Sequence, residues 1–227
     1  MPHVRSPERL DVRRSALLVI DLQEKLVPVV PSGEPVVRQT CRLMKAAEQL
    51  QVPVAATVQY PKGLGPLVPA IASLLDERQI EAEEKLDFSA AVCRGSLDEW
   101  CDSGRDQIVV VGIETHVCVV QTVLDLLAEG LRVFVVAEAV AARHGRDHET
   151  ALDRMRDSGA TVIAAESVMF EWLSTADHPS FKTISGLVKS FGQEDPKGPP
   201  PKRKPPKHGP PKHGPPKPGP PKPGTSR

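Results

Sequence analysis

Apolar residues arrive in short blocks separated by stretches with helical spacing. Residues 15–20 (SALLVI) are apolar after the first serine and stop at Asp21, the pattern of a strand buried on both faces. From Pro35 the apolar positions Val36, Val37, Leu43, Met44, Ala47 and Leu50 follow a helical period. Residues 53–57 (PVAAT) predict a second strand. A proline- and glycine-rich run, YPKGLGPLVP at 60–69, leads to a short helix through 71–75, and 79–82 predicts a third strand. The second half is sharper. Residues 107–111 (QIVVV) form a continuous apolar strand closed by Gly112, and 118–129 carries apolar residues on one helical side before Gly130. Further strands are predicted at 131–137 and 160–164, with helices at 147–158 and 178–190.

Strands that alternate with helices and read as unbroken apolar runs predict an α/β fold: a doubly wound, mostly parallel sheet of about six strands, helices on both faces, in a Rossmann-like three-layer sandwich. Ligands of such sheets bind beyond the carboxyl ends of the strands, where strand order reverses. If the 107–111 strand is the fourth, it neighbours the first there, and Asp21 and Cys118 face one crevice.

Composition divides the chain in two. Of its 24 prolines, fourteen fall after residue 195, together with nine Lys/Arg and no acid. Residues 205–224 read PPKHG, PPKHG, PPKPG, PPKPG. The expectation is a globular domain over 1–192 and a disordered, basic, polyproline-II-like tail over 193–227. That tail is expected to contact anionic partners or to serve as a solubilising extension. The overall formal charge of zero conceals a body of net −9, which argues against nucleic-acid binding by the globular part. No apolar run approaches the roughly 20 residues of a membrane span. The first fifteen residues lack a signal-peptide core, and Cys41, Cys93, Cys101 and Cys118 show neither CxxC pairing nor metal-like spacing with histidine. A cytoplasmic protein with free thiols is expected.

Cys118 opens a helix, where the positive end of the dipole lowers a thiol pKa, so a nucleophilic role competes with that of a small buried hydrophobe. A carboxylate that takes its proton, a lysine that holds the anion and backbone N–H groups for an oxyanion would together suffice for acyl transfer.

The segments LLVIDLQEKL (17–26), EKLDFSAAV (84–92) and VVVGIETHVCVVQTVLDLLAEGL (109–131) resemble the isochorismatase-like cysteine hydrolases. YPKGLGPLVP and residues 166–188 are similar to a narrower branch, the isochorismatase domain-containing proteins. The likeness spans about 15–190 and leaves the tail untouched. It implies an Asp21–Lys85–Cys118 triad and a non-proline cis peptide between Ile113 and Glu114. It also implies oxyanion donors near Glu114 and Cys118, and a thioester intermediate. The place of Lys85 rests on this resemblance alone. True isochorismatases, which split a vinyl ether, generally lack the cysteine, so Cys118 points to a carbon–nitrogen bond of a small amide-type substrate. Nicotinamidases of the family carry an Asp-x-His metal cluster after the second strand; TVQYPKGLGP has neither residue, so no metal and no cofactor are expected.

Gln59, Tyr60, Phe88 and Trp172 are candidate pocket residues beside their reading as core, within a pocket shaped by loops at 59–69 and 166–178. His116 lies next to the nucleophile but is expected to point away; Cys41, Cys93 and Cys101 are expected to pack. His208 and His213 make a poor metal site. A homo-oligomer is expected. Two other readings stay open: a catalytically silent binding protein that kept the fold, and an isochorismate-type vinyl-ether hydrolase.

Overall fold

A computed structural model describes residues 4–189. The expected domain boundary at 192/193 and the pentad tail, with His208 and His213, lie outside the described residues.

The elements run β1 (Ser15–Ile20), α1 (Gly33–Gln49), β2 (Val54–Gln59), α2 (Pro61–Leu64), α3 (Pro69–Asp76) and β3 (Glu83–Lys85). They continue with α4 (Arg94–Asp102), β4 (Gln107–Ile113), α5 (Val120–Ala128) and β5 (Arg132–Ala141), then α6 (Gly145–Asp157), β6 (Thr161–Ile163), α7 (Ala165–Leu173) and α8 (Phe181–Lys189). All six strands join one sheet in the order β3-β2-β1-β4-β5-β6, every pairing parallel. The doubly wound architecture expected from the strand pattern is the one found.

Strand alternation deals the core onto two faces. Leu17, Val19, Val109 and Val111 point into one apolar cluster with α1, α3, α7 and α8. Ala16, Leu18, Ile20, Ile108 and Val110 point into the other, with α4, α5 and α6. Every residue of β1 and β4 is buried, which explains their unbroken apolar sequence.

Three expectations are corrected. The third strand is not 79–82 but Glu83–Lys85, a charged edge strand held by register to β2, with Gln59 opposite Lys85. Residues 166–178 are not a loop throughout, because α7 occupies their first half; the last helix starts at Phe181, after a turn.

Strand order reverses between β1 and β4, so their carboxyl ends flank the crevice. Gly112 makes that junction close. Its φ is +123°, and a Cβ there would lie 2.0 Å from the Ile20 carbonyl oxygen. The register of β4 against β5 also shifts between Val110 and Gly112. Such irregularities re-aim the chain at a strand end, here immediately before Glu114.

Candidate active site

The ends of β1 and β3 and the turn after β4 bring Asp21, Lys85 and Cys118 to one end of the sheet. Asp21 follows β1 with φ +53°, a left-handed conformation that aspartate tolerates better than most residues. Its Oδ1 accepts a hydrogen bond from Thr57 Oγ1 at 2.8 Å. Its Oδ2 receives Lys85 Nζ at 2.7 Å, in an ion pair whose two side chains are fully buried. Lys85 reaches it because β3 pairs with β2 and β2 with β1, so the last residue of β3 stands at the same end of the sheet as Asp21.

Cys118 sits in a π-helical turn, Thr115–Val119, that joins β4 to α5. The turn shows as the Val119 N–H donating to the Glu114 carbonyl at 3.2 Å, and such turns recur at functional sites. Cys118 is 5% exposed, with Asp21, Lys85 and Glu114 within electrostatic reach of its thiol. Burial, followed by the negative charge of Asp21, pushes its pKa up to about 12, and Lys85 only partly opposes this. The lowering expected from a helix N-terminus is therefore outweighed. At rest the sulfur keeps its proton.

The surrounding bonds fix this group. Thr122 Oγ1 donates to the Cys118 carbonyl at 2.7 Å and accepts from the Ala90 N–H at 2.8 Å, tying the Cys118 turn to the segment after β3. Glu114 is buried, and its Oε2 accepts from the backbone N–H and the Nε of Arg143 at 3.0 and 3.1 Å. The Ile113–Glu114 peptide bond is cis, and the Ile113 side chain is fully buried in the core.

The profile of the Isochorismatase domain family matches residues 15–167. The chain belongs to the isochorismatase family. Isochorismatase domain-containing protein 2A of Mus musculus is 39% identical over 178 residues, 77% of this chain and 82% of that protein. The structure of the MAR1 ribonuclease from Caenorhabditis elegans superposes with a TM-score of 0.75 at 34% identity, covering 84% of this chain and 97% of the other. The YcaC gene product of Escherichia coli, an octameric hydrolase of unknown specificity, matches with a TM-score of 0.69 over 83% of this chain and 98% of that one. Its 23% identity carries the fold alone.

Within this isochorismatase-family fold the remaining candidates separate. Gln59 is buried behind Lys85 and donates its Nε2 to the Leu86 carbonyl at 2.7 Å. Tyr60 (φ +39°) and Phe88 are both about half exposed on the loops beyond β2 and β3, with Leu86 beside them. The Tyr60 ring lies over Gly63, where a Cβ would collide with it. Trp172 does not join them: it is 2% exposed in the apolar cluster on the opposite face of the sheet from that holding Cys118. Its position on α7 turns the indole toward the core, so its place as a pocket residue is withdrawn. His116 faces α6, with Nε2 4.0 Å from Asp147 Oδ2.

Sequence reasoning did not single out Thr57, Gln23 or Thr122, and took Cys93 for packing. Cys93 is buried; burial, then the charge of Glu83, raises its pKa to about 11. A polar residue closing an apolar strand was the available signal for Thr57. Among the described residues no group of three or more His, Cys, Asp or Glu is placed to hold a metal, and no helix is long and apolar enough to cross a membrane.

Proposed function

We propose that this protein is a metal-independent cysteine hydrolase that cleaves the carbon–nitrogen bond of a small amide-type molecule through Asp21, Lys85 and Cys118. The observation that carries this reading is the fully buried Lys85–Asp21 ion pair, with the buried Cys118 thiol close enough to feel the charge of both partners.

The chemistry follows from the protonation state. A thiol with a pKa of about 12 would cost about 7 kcal/mol to ionise in advance at neutral pH, so its proton must leave as the sulfur attacks. Cys118 Sγ bonds to the carbonyl carbon while its proton passes to Asp21. The carbonyl oxygen becomes an oxyanion beside backbone N–H groups near Glu114 and Cys118. The tetrahedral species collapses, the C–N bond breaks, and the departing amine takes the proton from Asp21. Water then gives a proton to Asp21 and attacks the thioester; the sulfur leaves and recovers that proton. Lys85 holds one positive charge beside the site throughout, which stabilises whichever of Asp21 and Cys118 is anionic.

Tyr60, Leu86 and Phe88 supply an apolar rim for the substrate. In this reading the protein works as a homo-oligomer in a reducing, cytoplasmic setting, and its basic tail contacts anionic partners. The test is a panel of small amides with rapid acid quenching, read by mass spectrometry on the Cys118 peptide. An acyl adduct in the wild type, absent from Cys118→Ser, is expected. Turnover that survives Cys118→Ser overturns the reading.

The Caenorhabditis elegans relative's name suggests a ribonuclease as a second reading. The net −9 of the body opposes binding of a phosphate backbone. RNA cleavage that persists through purification and is lost in Cys118→Ser would replace the amide reading.

A further inference from the structure

Lys85 Nζ is surrounded by four oxygens: Asp21 Oδ2 at 2.7 Å, Gln59 Oε1 at 2.7 Å, the Phe88 carbonyl at 3.1 Å and the Asp87 carbonyl at 3.3 Å. A neutral amine has two N–H groups and a lone pair that would face oxygen, so this setting demands the three-proton ammonium. The Gln59 oxygen is one of the two short contacts.

Its orientation is fixed from behind. Gln59 Nε2 donates to the Leu86 carbonyl at 2.7 Å, so a flipped amide would set an NH2 against the ammonium and an oxygen against a carbonyl. The Gln59 backbone is clamped by a second buried amide: Gln23 Oε1 accepts from the Gln59 N–H at 2.9 Å, and Gln23 Nε2 donates to the Gln59 carbonyl at 3.0 Å. Gln23 Nε2 also reaches the Gly65 carbonyl at 2.6 Å, which ties the 60–69 loop to the same node. Neither glutamine side chain titrates.

We infer that Gln59 is a positioning residue for Lys85: a neutral, pre-aimed acceptor that holds the ammonium in place while charge moves between Asp21 and Cys118. The inference rests on the hydrolase reading for its purpose. When Asp21 takes the thiol proton, the strongest acceptor on Lys85 loses its charge. Without Gln59 the ammonium would keep only an uncharged Asp21 and two longer carbonyl contacts, and would be freer to swing. With Gln59 it stays where the sulfur and the oxyanion need it.

The test observes the ammonium directly. In full-length protein with 15N-labelled lysine, hydrogen exchange of the Lys85 NH3+ group is followed by NMR near neutral pH, and Cys118 acetylation by p-nitrophenyl acetate is followed by mass spectrometry. Gln59→Met, similar in length but without an acceptor, should speed exchange and slow acetylation about tenfold each, the scale of one hydrogen bond to a charged group. Gln59→Glu keeps an oxygen on the ammonium in either protonation state, so its exchange should stay within about threefold of wild type. Gln59→Leu repeats the test should the methionine variant fail to fold. Unchanged exchange in both apolar variants, whatever their melting temperatures, overturns the inference. If exchange responds as expected while wild-type Cys118 takes up no acetyl group, the hydrolase reading fails and the positioning role stands.

Discussion

Replacing Lys85 by methionine keeps the length of the side chain and removes its charge. Both partners of the Lys85–Asp21 pair are fully buried, so the change leaves an Asp21 carboxylate held by Thr57 but without its counter-charge. Breaking a buried pair from one side typically costs about 3–5 kcal/mol, because the surviving charge keeps its desolvation penalty. The carbonyl groups of Asp87 and Phe88 also lose a donor. Equilibrium urea unfolding of wild type, Lys85→Met, Asp21→Asn and the double variant measures this directly. With a slope of about 2.5–3 kcal/mol per molar, the single variant should shift its midpoint down by about 1–2 M. Asp21→Asn should suffer comparably, since it strands the ammonium. The double variant should recover much of the loss, because two neutral groups of similar size carry no stranded charge. Two results would refute the reasoning: a Lys85→Met protein within about 1 kcal/mol of wild type, or a double variant no more stable than either single one. The first would put the pair in a solvated setting; the second would mean that packing, not charge, holds the site.

Two further expectations concern the thiols and the strand end. With the Cys118 pKa at about 12, its thiolate fraction rises with pH through the whole neutral range, so iodoacetamide labelling without substrate should climb about tenfold per pH unit with no plateau. The exposed Cys101 should label ahead of it near neutral pH; a plateau for Cys118 at neutral pH would show a preformed thiolate. Gly112→Ala places a methyl group against the Ile20 carbonyl at φ +123°, and should cost about 3 kcal/mol in denaturant unfolding while equally glycine-specific Gly130, with nothing within 4 Å, tolerates alanine at about 1 kcal/mol.

What was legible in the sequence follows from where the apolar surface lies. β1 and β4 are buried on both faces, so their runs of valine, leucine and isoleucine announced the central sheet and the reversal beside Asp21 and Cys118. β3 announced nothing. It is three charged residues at the sheet edge, held by backbone pairing to β2, and no hydrophobic pattern locates such a strand. The predicted position four residues earlier would have left Lys85 in a loop. Only the likeness of EKLDFSAAV to a family motif brought it to the site. Gln59 shows the same limit from the other side. A polar residue at the end of an apolar strand reads as a pocket wall, whereas its buried place depends on register pairing with Lys85 and on Gln23, 36 positions earlier.

The Cys118 environment shows why local rules gave the wrong sign there. The helix-dipole argument sees only the turn on which the sulfur sits and predicts a thiolate. Burial and the carboxylate delivered by β1 arise from tertiary contacts, and both push the thiol pKa up. A thiol held neutral beside a carboxylate already paired with lysine resists adventitious oxidation and alkylation, since both need the thiolate. In the proposed mechanism it becomes nucleophilic only when an electrophilic carbonyl accepts the electron pair as the proton leaves for Asp21. On that mechanism the site would couple reactivity to occupancy. That coupling requires the ammonium to stay fixed as the charge moves, so the neutral amide of Gln59 belongs to the same argument as the three groups it supports.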